Sequence, residues 1–349
     1  MTLPTNYLAC LLAAIFSLLC GVAWANSVKL SGKRRFELFY FDFAAGVMLT
    51  AVVVALTLGT LGTDGFVLMD DFLHAGKRNI AFGVVAGMIF NLGGFLLVAA
   101  IKMAGLSVAF PIGFGLAFAV WSVLAQVVDG QGKPALVFAG VAVLVAAIVF
   151  DMFAFSAVSL HHEVAKMKAG QHRTLRPSIA WKGVLLSVIG GLLMGSIRPL
   201  VQFSKAGEIG IGPYALGLCF CLGVFLSTFV FNLYFMNLPL AGAPLEMRDY
   251  FRGGGEGRVL GLLSGVAGSL CVFAGLVAAA APPEVQIDPV LACWLAGGLV
   301  PLGALSGVLA WKEFKGVGPK TMALVLLMFC LLLAGLGLVA AAQTVAPLV

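Results

Sequence analysis

The sequence predicts an all-α integral membrane protein of ten transmembrane helices, arranged as two inverted five-helix repeats. Three observations lead to this fold class. Hydrophobic residues make up 61% of the 349 residues and charged residues only 10%, whereas roughly a quarter of an average soluble domain is charged. Ten stretches without Asp, Glu, Lys or Arg have about the length of a membrane-spanning helix. The two halves of the chain also repeat the same motifs.

The ten charge-free stretches give the predicted helices in order. They cover residues 7–27, 43–63, 80–101, 103–128, 134–150, 183–197, 209–245, 259–283, 289–311 and 321–349. The fifth and sixth are shorter than the roughly 20 apolar residues that a membrane span needs. They reach that length when Asp151 and Arg198 are counted inside them, so we expect both ionisable residues to lie in the membrane.

The distribution of basic residues predicts the orientation of these helices. Most of the 21 Lys and Arg residues fall in the loops after the odd-numbered stretches. Because cytoplasmic loops carry an excess of Lys and Arg, we expect these loops in the cytoplasm and both termini outside. The expected location is a cell membrane, namely the bacterial inner membrane. The net charge of +6 then comes mainly from basic cytoplasmic loops that lie near anionic lipid, and it does not indicate binding to nucleic acid.

Matching motifs in the two halves indicate an internal duplication. Residues 18–21 (LLCG) recur at 192–195 (LLMG), and the spacing of Gly83, Gly87 and Asn91 recurs at Gly261, Gly265 and Ser269. Because five is odd, two copies joined head to tail have opposite orientations, as in many secondary transporters. We expect a first repeat over 1–155, a basic cytoplasmic loop over 156–182 and a second repeat over 183–349. Chance similarity between glycine-rich apolar helices is the alternative.

Two segments near the start of the chain carry a family resemblance. Residues 21–29 (GVAWANSVK) and 35–43 (RFELFYFDF) resemble the helix 1–2 signature of ureide permease-like proteins in the drug/metabolite transporter (DMT) superfamily. Residues 150–155 (FDMFAF) and 309–314 (LAWKEF) look similar to the ends of helices 5 and 9 in that family.

The resemblance implies a DMT-like fold and a permease. It implies import of allantoin, uracil or a related purine-breakdown product, commonly with protons, while neighbouring branches import sugars such as rhamnose or glucose. Segment 156–182 lacks the G-x-x-x-x-G-K sequence of plant members, so regulation by nucleotides is not implied.

Two carboxylates are candidates for proton coupling. Ionisable side chains are costly inside a bilayer and are therefore functional candidates. Asp42 opens the second helix and Asp151 lies near the end of the fifth, where a desolvated carboxylate can exchange protons. The alternatives are that Asp42 favours the positive helix N-terminus and that Asp151 faces interfacial water. Glu37 lies in a basic loop, and we expect it to pair with Arg34 or Arg35.

The candidates for substrate binding are polar or aromatic residues of the predicted spans. Asn91 lies close to the middle of the third helix, and its amide can donate and accept hydrogen bonds. The full set is Asn91, Trp24, Asn26, Trp121, Arg198, Gln202 and Ser269. The alternatives are an interhelical clamp for Asn91, snorkelling for Arg198, interfacial anchoring for the tryptophans and helix packing for Gln202.

Prolines and glycines mark candidate helix breaks. Interrupted helices at equivalent places in two repeats indicate a binding site or a gate in transporters. The gating candidates are Pro111, Gly115, Pro199 and Pro301. Close packing of small residues in a helix bundle is the alternative.

The sequence offers little support for an enzyme. The seven cysteines fall inside predicted spans, and His161-His162-Glu163 does not match the H-E-x-x-H spacing of a zinc site. We expect no metal, no cofactor and no catalytic residues.

The predicted function is a secondary active transporter, importing a ureide, purine or pyrimidine with protons. The alternatives are monosaccharide uptake, export of metabolites or drugs and, less favoured, a membrane-embedded enzyme. The expected partners are a small polar solute, a proton or sodium ion, the lipid bilayer and a second copy of the chain.

Overall fold

The computed structural model describes residues 1–349 except 33, 63–64, 131, 169–178, 253–254 and 345–349. The described residues form helices and no strands, and 80% of them are helical. Within the described residues, ten helical spans are long and apolar enough to cross a membrane. The predicted number of membrane-spanning helices is therefore confirmed, and the chain is a multi-pass membrane protein.

Nine of the spans are single helices and one is built from two. In chain order the helices are α1 (Tyr7–Leu30), α2 (Phe36–Thr57), α3 (Leu68–His74), α4 (Lys77–Ala104), α5 (Leu106–Asp129), α6 (Pro134–Lys168), α7 (Ile179–Gly195), α8 (Arg198–Lys205), α9 (Pro213–Asn237), α10 (Met247–Arg252), α11 (Gly255–Ala279), α12 (Pro289–Leu309) and α13 (Pro319–Ala342). The short helices α3 and α10 lie outside the spans.

The sixth span is interrupted where the sequence places an arginine before a proline. α7 ends at Gly195 and α8 begins at Arg198, with Pro199 in its first turn. Proline has no N–H to donate, so it fits the first turn of a helix, whereas in the interior of a helix it removes one backbone hydrogen bond. By contrast, Pro111 and Pro301 lie inside the helices α5 and α12. The helical backbone of α6 continues past Asp151 to Lys168, into the segment 156–182.

The chain forms two compact units, each made of two sequence segments. The first unit comprises Met1–Phe95 and Ile197–Ala296, and the second comprises Leu96–Ser196 and Gly297–Val349. The helices α4 and α12 each contribute residues to both units, and the break between α7 and α8 coincides with a unit boundary.

Glycines allow two close helix crossings in the first unit. Where α2 crosses α11, a Cβ atom at Gly46 would collide with the Leu262 carbonyl oxygen, and one at Gly265 with the Phe43 carbonyl oxygen. Where α4 crosses α9, a Cβ atom at Gly87 would collide with the Phe220 carbonyl oxygen, and one at Gly223 with the Val84 carbonyl oxygen. Such close approach is how membrane helices gain packing energy where lipid is as apolar as the side chains.

The second unit also contains close helix crossings at glycines. Gly140 of α6 and Gly335 of α13 each lie so close to the other helix that a Cβ atom would press on its backbone. A Cβ atom at Gly191 of α7 would likewise collide with the Gly113 carbonyl oxygen of α5. Gly115 is different, because a Cβ atom there would meet the nearest side-chain atoms, of Ile148 and Val300, at an ordinary 3.6 Å.

Candidate transport site

Asn91 forms the centre of a buried polar group in the first unit. It lies near the middle of α4 and is 1% exposed. Its Nδ2 donates to Ser227 Oγ at 2.8 Å and to Thr228 Oγ1 at 3.0 Å, both on α9. Its Oδ1 is buried and accepts no hydrogen bond in the described structure. Asn91 therefore links two helices and still holds an unused acceptor.

Aromatic rings surround this polar group. Tyr40 of α2 donates its hydroxyl proton to the backbone carbonyl oxygen of Asn91 at 3.2 Å. The Tyr40 and Phe95 rings lie edge to face with centroids 5.0 Å apart, and Phe95 stacks on Phe235 at 5.0 Å and contacts Phe36 at 5.4 Å. We call Phe36, Tyr40, Phe95 and Phe235 the aromatic cluster. Rings of this kind offer flat surfaces on which a planar solute can stack.

A second asparagine lies further along α9. Asn232 is fully buried, and its Nδ2 donates to the backbone carbonyl oxygen of Glu37 at 2.7 Å. Its Oδ1 is buried and has no donor among the described residues. The Glu37 carboxylate accepts from Arg35 Nη2 at 2.7 Å and from Nε at 3.1 Å. The expected ion pair between Glu37 and a neighbouring arginine is therefore present.

Asp42 belongs to an ionic group that joins three parts of the first unit. Its Oδ2 accepts from Arg34 Nη2 at 2.6 Å, and its Oδ1 accepts from the Tyr250 hydroxyl of α10 at 2.7 Å. Arg258 of α11 lies over the Tyr250 ring, 4.9 Å from its centroid. Burial raises the pKa of the Tyr250 phenol, and the hydrogen bond to the Asp42 carboxylate adds to this rise. We call Arg34, Asp42, Tyr250 and Arg258 the ionic clasp.

Asp151 has a different environment, in the second unit. The residue is fully buried in α6, and neither carboxyl oxygen has a hydrogen-bond partner in the described structure. Glu313 is close enough to act on it electrostatically. An ionised carboxylate in such a place is strongly unfavourable, because desolvation is not offset by a partner.

Glu313 itself caps α5. Its Oε1 accepts from the Leu106 N–H at 3.0 Å, and its Oε2 accepts from the Ser107 N–H at 2.7 Å and from the Ser107 hydroxyl. Gly105 joins α4 to α5 and has a φ of 100°, a conformation that favours glycine. A Cβ atom there would also crowd the Glu313 carboxylate. Negative charge is stabilised at a helix N-terminus, so this contact anchors the α12–α13 loop to α5.

The other sequence candidates have more scattered positions. Trp24 is buried on α1, and its ring lies 6.4 Å from Phe43, which contacts Tyr40 at 4.9 Å. Asn26 donates to the Val22 carbonyl oxygen of its own helix at 2.9 Å. Trp24 is thus linked to Asn91 through the rings of Phe43 and Tyr40.

The remaining candidates divide between the two units. Ser269 of α11 lies 3.7 Å from Cys221 Sγ in the first unit, where Arg198 is buried and Gln202 half-buried on α8. Trp121, half-buried on α5, belongs to the second unit with Pro111, Gly115 and Pro301, whereas Pro199 belongs to the first.

Several site residues were not among the sequence candidates. They are Tyr40, Ser227, Thr228, Asn232, Tyr250 and Glu313. Tyr40 follows Glu37 by one helical turn, which is a usable signal for a shared face of α2. The others are identified only by contacts between segments that are distant in sequence.

The described residues contain no cluster of His, Cys, Asp and Glu that could hold a metal ion. The cysteines in this part of the chain are all free thiols. The polar groups of both units thus consist of hydrogen-bonding and ionisable side chains, some of which, such as Asn91 and Asp151, lie within membrane spans.

No family model matches the sequence. Ureide permease 1 of Arabidopsis thaliana is 21% identical, with 96% of this chain and 96% of that protein covered. Ureide permease 2 of the same organism is 23% identical over 93% of each chain. One solved structure overlaps with 96% of this chain at a TM-score of 0.49 and 16% identity. The full-length similarity, although distant, supports a ureide permease-like family and, with the ten apolar helices, a membrane transporter.

Proposed function

We propose that the protein is a secondary active transporter of the DMT superfamily that imports a ureide, purine or pyrimidine together with protons. The near full-length similarity to proteins named ureide permeases supports the solute class. The observation that carries the coupling proposal is the Asp151 carboxyl group, which is fully buried in a membrane span and lacks any hydrogen-bond partner in the described structure.

The environment of Asp151 suits a group that binds and releases one proton. In the state described here, only the neutral carboxylic acid avoids the desolvation cost of an unpaired charge. Release of the proton then requires water or a counter-charge, which a transporter supplies when it opens the site to one side. The negative charge of nearby Glu313 disfavours a second charge on Asp151 as well.

Asp42 is the less supported coupling group. Its two carboxyl oxygens already accept from Arg34 and Tyr250, so it resembles a permanent ion pair more than an exchangeable proton site. We therefore propose a structural role for Asp42 in holding the ionic clasp together.

The contacts of the first unit support the inverted repeat. Phe43 and Gly46 of α2 recur 177 residues later as Phe220 and Gly223 of α9, while Gly87 of α4 recurs 178 residues later as Gly265 of α11. The pair Phe43–Gly265 thus corresponds to the pair Phe220–Gly87, and both are close backbone contacts. Related contacts at related positions are what a two-fold axis in the membrane plane produces.

The remaining features of the proposal follow from this arrangement. The repeats span 1–155 and 183–349 with a cytoplasmic segment between them, and both termini lie outside the cell. The break between α7 and α8, beside buried Arg198 and Pro199, is the best supported of the gating positions. Asn91 is the best supported of the substrate-binding residues because its buried Oδ1 accepts no hydrogen bond from the described residues.

Uptake by proteoliposomes tests the proposal. Labelled allantoin, uracil, rhamnose and glucose are offered with and without an inward proton gradient. We expect gradient-driven accumulation of allantoin or uracil by the wild type and by the exposed-carboxylate control Asp70→Asn. Asp151→Asn is expected to exchange labelled for unlabelled solute but not to accumulate it. Accumulation of a sugar, efflux only, or unchanged accumulation by Asp151→Asn would each contradict the corresponding part of the proposal.

A further inference from the structure

The orientation of the Asn91 amide is fixed by two neighbouring hydroxyls. Ser227 Oγ donates its proton to the Gly223 carbonyl oxygen at 2.7 Å, and Thr228 Oγ1 donates to the Val224 carbonyl oxygen at 2.8 Å. A hydroxyl has one proton, so both groups accept from Asn91 as long as they keep these bonds to the carbonyls. The two Asn91 Nδ2 protons match these two acceptors. Turning the amide round would require both hydroxyls to give up these carbonyl bonds in order to donate to its oxygen, so the described orientation, with Oδ1 free, keeps more hydrogen bonds.

The orientation of the Asn232 amide is fixed in a similar way. The Glu37 backbone carbonyl has no proton, so it must face the Asn232 Nδ2 and not the oxygen. The Asn232 Oδ1 is therefore also a buried acceptor without a donor in the described structure. Buried polar groups in folded proteins are nearly all hydrogen-bonded, so two unused acceptors on one helical interface call for an explanation.

The two asparagines belong to neighbouring turns of one interface between α2, α4 and α9. Asn232 follows Thr228 by four residues, a rise of about 6 Å along α9. Tyr40 follows Glu37 by one turn on α2 and contacts Asn91, while Glu37 contacts Asn232. The aromatic cluster spans the same turns, since Phe95 follows Asn91 by one turn and stacks on Phe235, which follows Asn232.

We infer that Asn91 and Asn232 form a pair of hydrogen-bond acceptors that receive two N–H groups of a flat, uncharged solute stacked on the aromatic cluster. This inference rests on the proposed transport function and specifies how that site selects its solute. Anionic solutes are excluded because a carboxylate would face two carbonyl oxygens. Solutes methylated at the two nitrogens are excluded because they leave both oxygens without a donor.

Binding to the purified, detergent-solubilised protein tests the inference without requiring transport. Calorimetric titration compares uracil, 1,3-dimethyluracil and rhamnose. We expect uracil to bind at least about tenfold more tightly than 1,3-dimethyluracil, because loss of each buried hydrogen bond leaves an acceptor unpaired. Rhamnose also carries donors, but it has no flat face for the aromatic cluster and should bind more weakly than uracil.

Variants separate the amide orientation from general damage to the fold. Asn91→Leu keeps the side-chain size and should lose discrimination between uracil and its dimethyl derivative. The double variant Ser227→Ala and Thr228→Val keeps Asn91 but releases its amide, and it should weaken the discrimination several-fold. The control Asn237→Leu removes an exposed amide of α9 that donates to the Leu233 carbonyl oxygen of its own helix, and it should behave as the wild type.

The outcomes distinguish this inference from the proposed function. Equal binding of uracil and 1,3-dimethyluracil, tighter binding of rhamnose, or binding of none of the three would overturn the acceptor pair. Full discrimination in the double variant would overturn the fixed orientation of Asn91. Selective uracil binding without accumulation in proteoliposomes would leave the acceptor pair standing and refute the transport proposal.

Discussion

Replacing Asp42 by Asn should destabilise the first unit without acting on proton coupling. The carboxylate lies 2.6 Å from the Arg34 guanidinium, and the two side chains are only 4% and 13% exposed. Asparagine has nearly the same shape and still offers an oxygen to Tyr250, so the main change is the loss of the negative charge. Arg34 then keeps its charge in a buried place where its Nη1 already has no partner in the described structure.

The size of the effect follows from the burial of this pair. Removing one partner of a buried ion pair typically costs roughly 3–5 kcal/mol, because the remaining charge is desolvated without compensation. The amide oxygen that replaces the carboxylate would still accept one hydrogen bond, so we expect the lower end, about 3 kcal/mol. Since the cost comes from the unpaired arginine, Arg34→Leu combined with Asp42→Asn should cost less than the sum of the single changes.

Reversible unfolding in mixed detergent micelles measures this free energy. The control is Asp70→Asn, an exposed carboxylate for which we expect a change within about 0.5 kcal/mol. A similarly small change for Asp42→Asn, together with complete loss of proton-driven accumulation, would refute the structural role. It would make Asp42 a coupling carboxylate.

Three further perturbations use the same unfolding measurement. Gly223→Ala should lower the free energy of unfolding by about 1–3 kcal/mol through overpacking against the Val84 backbone. Gly115→Ala should be tolerated because the nearest side-chain atoms are 3.6 Å from the added Cβ. Equal losses of stability would contradict the packing argument. Glu313→Gln should cost about 1 kcal/mol through a weaker cap on α5, and no change would argue against that cap. Burial raises the pKa of Asp71 above its ordinary 3.8, so the folded state holds this proton to higher pH than the unfolded chain. Stability should therefore fall as pH rises above 3.8 through the raised pKa, and Asp71→Asn should remove that fall; a wild-type stability that matches the variant at every pH would contradict it.

The helices could be predicted from the sequence because the membrane leaves few alternatives. A span must satisfy its backbone hydrogen bonds internally, so a charge-free stretch of sufficient length is almost always a helix. The same criterion misplaces helix ends where a charge lies inside a helix. Asp151 terminates its charge-free stretch, yet the helical backbone of α6 continues to Lys168. The break at 196–197 lies at the end of the sixth charge-free stretch, directly before Arg198 and Pro199.

The polar residues of the site could be predicted only in part. Asn91 is conspicuous as the single amide of the charge-free stretch 80–101, and Asp151 as a carboxylate directly after the short stretch 134–150. Ser227 and Thr228 are not conspicuous, because hydroxyls in membrane helices usually bond the carbonyls of their own helix, as these two also do. The role of Asn232 depends on the Glu37 carbonyl of another helix, which no local pattern reveals.

Proton flux driven by the solute tests the central claim most directly. Proteoliposomes that contain a pH-sensitive dye receive the transported solute on the outside, with no gradient imposed. We predict acidification of the interior by the wild type and by Asp70→Asn, and no acidification by Asp151→Asn although it still exchanges solute. Equal acidification by Asp151→Asn, or solute entry into wild-type vesicles without any acidification, would contradict proton coupling through Asp151.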